Sequence, residues 1–144
     1  MNEIDLLLIE RACERVIVDS ATLNDRREFS ALAALYTTDG VVVRPSGQRL
    51  EGREAIEAAY AAGPPDRVTR HLCTNVRVEV DGSDAARATT VVLILSGQRS
   101  DAPDVTFGVV PSEHHMVGEF ADRLVRTDEG WRIAERHATM AMTT

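Results

Sequence analysis

Two hydrophobic periods divide the chain. In the first third Ile9, Cys13, Val16, Ile17, Ser20 and Asn24 recur at steps of four, three, one, three and four, which marks one face of a helix over about residues 4–22. Asp25-Arg26-Arg27-Glu28 reads as D-x-x-E, the pattern of a capping box, and predicts the start of a second helix. Phe29, Leu32, Ala33 and Tyr36 share a face of that helix, and Asp39-Gly40 ends it. Val41–Arg44 predicts a short strand, followed by a Pro45-Ser46-Gly47 turn. Gly52 then opens a third helix, Arg53 to about Ala62, with Ala55, Ile56, Ala59 and Tyr60 on one stripe, and Gly63-Pro64-Pro65 stops it.

Beyond residue 68 the period changes to two. Val76, Val78 and Val80 alternate with Arg77 and Glu79 in a strand that begins near Val68. Asp81-Gly82-Ser83-Asp84 is a hairpin turn into a long strand, about Ala85 to Arg99. A loop over Ser100–Val110, a strand from about His114 to Arg126, a turn at 127–130 and a strand over Trp131–Met142 complete the pattern. Three helices followed by long antiparallel strands predict an α+β fold with the helices on one face of a highly curved, mainly antiparallel sheet. Such a sheet, closed by helices, makes a cone whose open end is an apolar pocket. Around Val91–Leu95 apolar side chains occupy both parities, more than one concave face can use. The surplus predicts a homodimer or homotrimer.

Composition removes several classes of function. At 144 residues the chain is expected to form one domain, 1–144. All sixteen basic residues are arginine, which excludes a Schiff-base lysine, a lysine-anchored pyridoxal site and a P-loop. A net charge of −7 argues against nucleic acid and against an anionic membrane surface as partners. Cys13 and Cys73 stand sixty residues apart without a C-x-x-C pair and read as small hydrophobes in a reducing compartment. Acidic residues precede an apolar run that stops at Ile9, unlike a secretory signal, and no stretch approaches the ~20 apolar residues of a membrane span. A cytoplasmic protein is expected.

The order of elements carries three further marks: E-G-R-E-A-I at Glu51–Ile56, T-R-H at Thr69–His71 opening a long strand, and D-E-G-W-R-I at Asp128–Ile133 opening the last one. In this pattern the chain resembles the SnoaL-like branch of the NTF2-like superfamily, and within it the scytalone dehydratase-like proteins, over roughly residues 5–140. The resemblance implies a cone-shaped fold and a catalytic aspartate–histidine pair at Asp25 and His71. It departs from the scytalone dehydratase pattern where two tyrosines are replaced by Asn24 and, by spacing, Arg44, and where a second active-site histidine is missing from Leu93–Gly97.

A histidine exchanges protons near neutrality, and an aspartate on one ring nitrogen orients the other toward a substrate. The pair suits removal of a proton α to a carbonyl with loss of hydroxide or halide from the β carbon, or a double-bond shift. Neither route needs a metal or an organic cofactor. The resemblance therefore implies a lyase or isomerase acting on a small apolar cyclic or polyketide-like substrate. Asn24, Tyr36, Arg44, Tyr60 and His115 are the candidates for lining its pocket; adjacent His114 and His115 point to opposite faces and cannot share a metal. Blander readings stand beside these: Asp25 as a helix cap, His71 as a buried histidine satisfied by backbone, Glu119 and Asp122 as solvated positions, His137 as structural. The alternative for the whole chain is a non-catalytic small-molecule-binding or assembly domain of the same fold.

Overall fold

The computed structural model describes residues 1–99, 110 and 112–144. Except for Val110, the loop expected over 100–110 lies outside the described residues. Helix α1 (Glu3–Asp25) begins with a reciprocal cap: the Asp5 amide donates to Asn2 Oδ1 (2.9 Å) and the Asn2 amide to Asp5 Oδ2 (3.1 Å). It buries the predicted face, Ile9, Cys13, Val16, Ile17 and Ser20, together with Ala21, and runs to Asp25, past its expected end near 22. Burial pushes the Cys13 thiol up to about 11, and both cysteines are free.

The second helix differs from expectation at both ends. Helix α2 (Phe29–Ala34) has Glu28 at its N-cap with no side-chain cap, so the D-x-x-E box does not form. Asp25 instead closes α1, because its carboxylate is engaged by a distant strand. The chain turns between the helices through Arg27, held at φ 59°. Tyr36, expected on the helix, opens strand β1 (Tyr36–Val43) instead. Gly40 is the reason: a Cβ there would meet Tyr36 Cβ at 2.8 Å and the Thr37 carbonyl at 2.9 Å. The glycine sits in a bulge, since Tyr36 pairs Ile133 while Val41 already pairs Glu135. A three-residue strand β2 (Arg49–Glu51), too short to show a period, folds back on β1 before helix α3 (Arg53–Ala61).

The four long strands follow the period-two reading within a few residues: β3 (Arg67–Val80), β4 (Ala85–Gln98), β5 (His114–Thr127) and β6 (Gly130–Thr143). They form a meander inside a six-stranded sheet of order β2-β1-β6-β5-β4-β3, antiparallel except where β1 meets β6. Curvature comes from register shifts between Thr74 and Arg77, Val117 and Gly118, and Arg123 and Leu124, the first with Asn75 at φ 49°. Helix α1 lies against β3 and β6, with Ile17, Tyr36, Val42, Ile56, Leu124 and Ile133 in the core between helices and sheet. On the opposite face Leu72, Leu93, Val117 and Met142 fall in one row across four strands, with Leu72 and Met142 exposed. No helix among the described residues is long and apolar enough to cross a membrane.

Asp122, expected in solvent, is buried. It shares the inward parity of Phe120 and Leu124 and faces Arg136 across β5 and β6. Arg136 grips it with two parallel bonds, Nε to Oδ1 (2.7 Å) and Nη2 to Oδ2 (2.8 Å), while Nη1 donates to Ser20 Oγ at 2.9 Å. Ser20 Oγ in turn donates to the Ile17 carbonyl of its own helix. Burial works against the Arg136 charge, but the Asp122 carboxylate outweighs it and raises the arginine's pKa further. Removing one partner strands the other charge in the core. Arg136→Met is therefore expected to lose about 3–5 kcal/mol of unfolding free energy in urea titrations, and a loss below about 1 kcal/mol would contradict this account.

Candidate active site

Alternation along β3 points Arg67, Thr69 and His71 to the same, concave face. The C-terminal end of α1 meets that face, and three hydrogen bonds converge on Asp25. Thr69 Oγ1 donates to Oδ1 (2.9 Å), the His71 amide to Oδ2 (2.8 Å), and His71 Nδ1 lies 2.5 Å from Oδ1. Both side chains are nearly buried, 11% exposed for Asp25 and 12% for His71. Burial raises the Asp25 pKa, but the His71 ring, the His71 amide and the Thr69 hydroxyl together bring it below the ordinary aspartate value. The carboxylate is thus ionised at neutral pH and accepts from Nδ1–H. That leaves Nε2 as the ring nitrogen available to a ligand, with no protein partner among the described residues.

His71 lines a cavity of about 240 Å³. Asn24 borders it from the last turn of α1, Arg27 from the α1–α2 turn, Phe29 from α2, Arg44 from the end of β1 and Tyr60 from α3. Ile94, Met116, Phe120, Ala138 and Met140 supply its apolar wall from β4, β5 and β6. Phe29 and Tyr60 stack at 6.4 Å, and the Arg44 guanidinium sits 5.5 Å above the Tyr60 ring. The structure thus brings Asp25, His71, Asn24, Arg44 and Tyr60 to one place. Tyr36 and His115 are not there. Tyr36 is 1% exposed in the core, where burial raises the pKa of its hydroxyl, and its carbonyl accepts from Arg53 Nε at 2.9 Å. His115 is exposed opposite Leu95 on the far side of the sheet, because Met116 takes the inward parity.

A larger depression, about 570 Å³, lies on the convex face and is lined by Arg77, Glu79, Arg87, Arg123, Glu135 and His137. Several of its charges are paired, Arg87 with Glu79 at 3.1 Å and His137 with Glu135 at 2.7 Å. The smaller concave cavity is the one that joins a proton-accepting nitrogen to an apolar wall. Among the described residues no three His, Cys, Asp or Glu side chains converge as a metal site requires.

The SnoaL-like domain family matches residues 5–137. The chain belongs to that family. None of the curated proteins matches the sequence of this SnoaL-like domain. Among solved structures it is similar to a candidate scytalone dehydratase from Novosphingobium aromaticivorans: 24% identity, 99% of this chain and 91% of that one, TM-score 0.84. It is also similar to the LinA-type3 hexachlorocyclohexane dehydrochlorinase from Novosphingobium barchaimii, with 18% identity, coverage of 99% and 93%, and a TM-score of 0.81. For ActVI-ORFA from Streptomyces coelicolor the values are 22% identity, coverage of 92% and 97%, and a TM-score of 0.75. These likenesses establish the fold, an NTF2-like α+β architecture with an unclosed curved sheet.

Sequence reasoning passed over Arg27, Arg67, Phe29, Phe120, Met116 and Met140 as cavity residues. Arg67 shares the parity of His71, which was a usable signal; the Arg27 turn gave none. Because the Asp25 pKa is depressed on folding, the stability Asp25 contributes is fully present above its unfolded value near 3.9 and is lost as pH falls through the lower native value. The gap in unfolding free energy between the wild type and Asp25→Asn, followed in urea from about pH 7 to pH 2, should therefore narrow in acid. A gap constant across that range would contradict the ionised, triply bonded carboxylate.

Proposed function

We propose that this SnoaL-like domain is a cofactor-independent lyase of the dehydratase type, or an isomerase, with His71 as general base and Asp25 as its orienting partner. The observation that carries this reading is the 2.5 Å contact between His71 Nδ1 and Asp25, with His71 lining a cavity that has an apolar wall. His71 Nε2 removes the proton α to a ring carbonyl, and Asp25 stabilises the imidazolium that forms. Electrons of the broken C–H bond pass into an enolate, whose oxygen is stabilised by Arg44 or the Asn24 amide. Collapse of the enolate expels hydroxide from the β carbon, and the imidazolium returns its proton to give water. For a halide leaving group the base must instead lose its proton to solvent. Returning the proton to a different carbon shifts the double bond.

The activities of two structural neighbours, a dehydrochlorinase and a candidate dehydratase, support elimination as the reaction type. The apolar wall and the cavity volume, below the roughly 300–1,000 Å³ of drug-sized sites, favour a small substrate with one or two rings. The row Leu72, Leu93, Val117 and Met142 supports a homodimer or homotrimer built on the convex face.

With 3-hydroxycyclohexanone as probe, formation of cyclohexenone should fall by about 10²–10⁴-fold in His71→Ala and in Asp25→Asn. The double variant should be scarcely worse than either single one, because the two residues act as one unit. Near-full turnover in His71→Ala would overturn the base assignment and leave a binding protein. Sedimentation equilibrium at micromolar concentration should show an oligomer that Leu93→Arg reduces to monomer; a monomeric wild type would contradict the assembly.

A further inference from the structure

The cavity's charge runs against that of the chain. In a protein of net charge −7, Arg27, Arg44 and Arg67 all line the cavity, and no acidic side chain stands beside them in its described lining. Six other arginines, at 11, 49, 53, 87, 123 and 136, are paired with carboxylates. Among the described residues the three cavity arginines form no ion pair. Each of the two nearest the aromatic shelf is held by neutral groups instead. Arg27 lies 5.1 Å over the Phe29 ring and donates one bond, to the Pro64 carbonyl at 3.2 Å. Arg44 lies over Tyr60 and donates one bond, to Gln48 Oε1 at 3.3 Å. Asp66, next to Arg67 in the chain, accepts from the Gln98 amide at 2.5 Å.

A guanidinium stacked on a ring keeps its N–H edge free in its own plane, and four of its five donors remain for a ligand. Arginine recognises a carboxylate through two parallel bonds, and three arginines that form no ion pair among the described residues, Arg27 and Arg44 partly buried and Arg67 exposed, converge on this one cavity. The spacing also fits. Arg67 and His71 are four residues apart on one strand face, about 13 Å between their Cα atoms at about 3.3 Å per residue, before the arginine side chain reaches back.

Resting on the reading of this cavity as a substrate site, we propose that the substrate carries a carboxylate. Arg27, Arg44 and Arg67 hold it at the mouth, while the ring body lies on Ile94, Met116, Phe120 and Met140 with its acidic C–H at His71 Nε2.

Calorimetric titration with 2-naphthoate and its neutral isostere 2-naphthamide tests this without any turnover. The carboxylate should bind about tenfold or more tightly than the amide at low salt, the gap narrowing as salt is added. Arg67→Met alone should reduce the gap, and Arg27→Met/Arg44→Met/Arg67→Met should abolish it with little change for the amide. Arg49→Met, outside the cavity, should leave it unchanged. His71→Ala should retain the gap; its loss there would assign the anion to the imidazolium and overturn the proposal. Equal affinities, no binding of 2-naphthoate at millimolar concentration, or a gap that survives the triple variant would overturn it too. If the gap holds while 3-hydroxycyclohexanone is not turned over, the carboxylate site stands and the elimination chemistry alone fails.

Discussion

Three hydrogen bonds on the Asp25 carboxylate tie the C-terminal end of α1 to the start of β3, forty-six residues further along the chain. Most of the site depends on that tie. It requires α1 to run as far as Asp25, requires Arg27 to turn the chain immediately afterwards, and requires the β3 register that puts Thr69 and His71 inward together. A hydrogen bond to a charged group contributes about 1.5–3 kcal/mol, so one carboxylate accepting three is a substantial anchor for a helix end. The same contact selects the ring nitrogen that faces a ligand. Structure and candidate chemistry are here one interaction.

A second buried charge network lies beneath the cavity wall. Arg136, clamped on Asp122 and bonded to Ser20, presents its guanidinium 4.0 Å from the Phe120 ring, and Phe120 faces the cavity. The network joins α1 to β5 and β6 as Asp25 joins it to β3. The helix is thereby held over the sheet at both places where an apolar contact alone would let it slide. In a low-dielectric interior such pairs are strong only when fully satisfied, and this one has both carboxylate oxygens and three of the arginine's donors engaged.

Period was the reliable part of the sequence. The 3.6-residue face of α1 and the alternation in β3 to β6 were legible because each extends over many residues and each buries one side. Short or locally ambiguous signals failed for a common reason, that a tertiary contact took the residue. Asp25 looked like a cap but is captured by β3; Tyr36 continued a helical stripe but is turned into β1 by the close approach at Gly40; β2 offered three residues and no period. Asp122 shares the parity of Leu124, and that alternation outranked its charge. His115 was a pocket candidate without a fixed direction because adjacent histidines carry no phase of their own, whereas Met116 and Phe120, four residues apart on one strand, do. The pairing of Asp25 with His71 was legible only through the T-R-H resemblance, since nothing local joins residues so far apart.

The central claim is that Asp25 holds His71 in the Nδ1–H form with Nε2 open to the cavity. Nitrogen-15 NMR of the histidine side chains, with His71 assigned by its loss in His71→Ala, reads this directly. In the neutral ring Nδ1 should show the shift of a protonated nitrogen and Nε2 that of an unprotonated one, and Asp25→Asn should abolish the preference. A neutral His71 protonated at Nε2, or a tautomer indifferent to Asp25→Asn, would contradict the account.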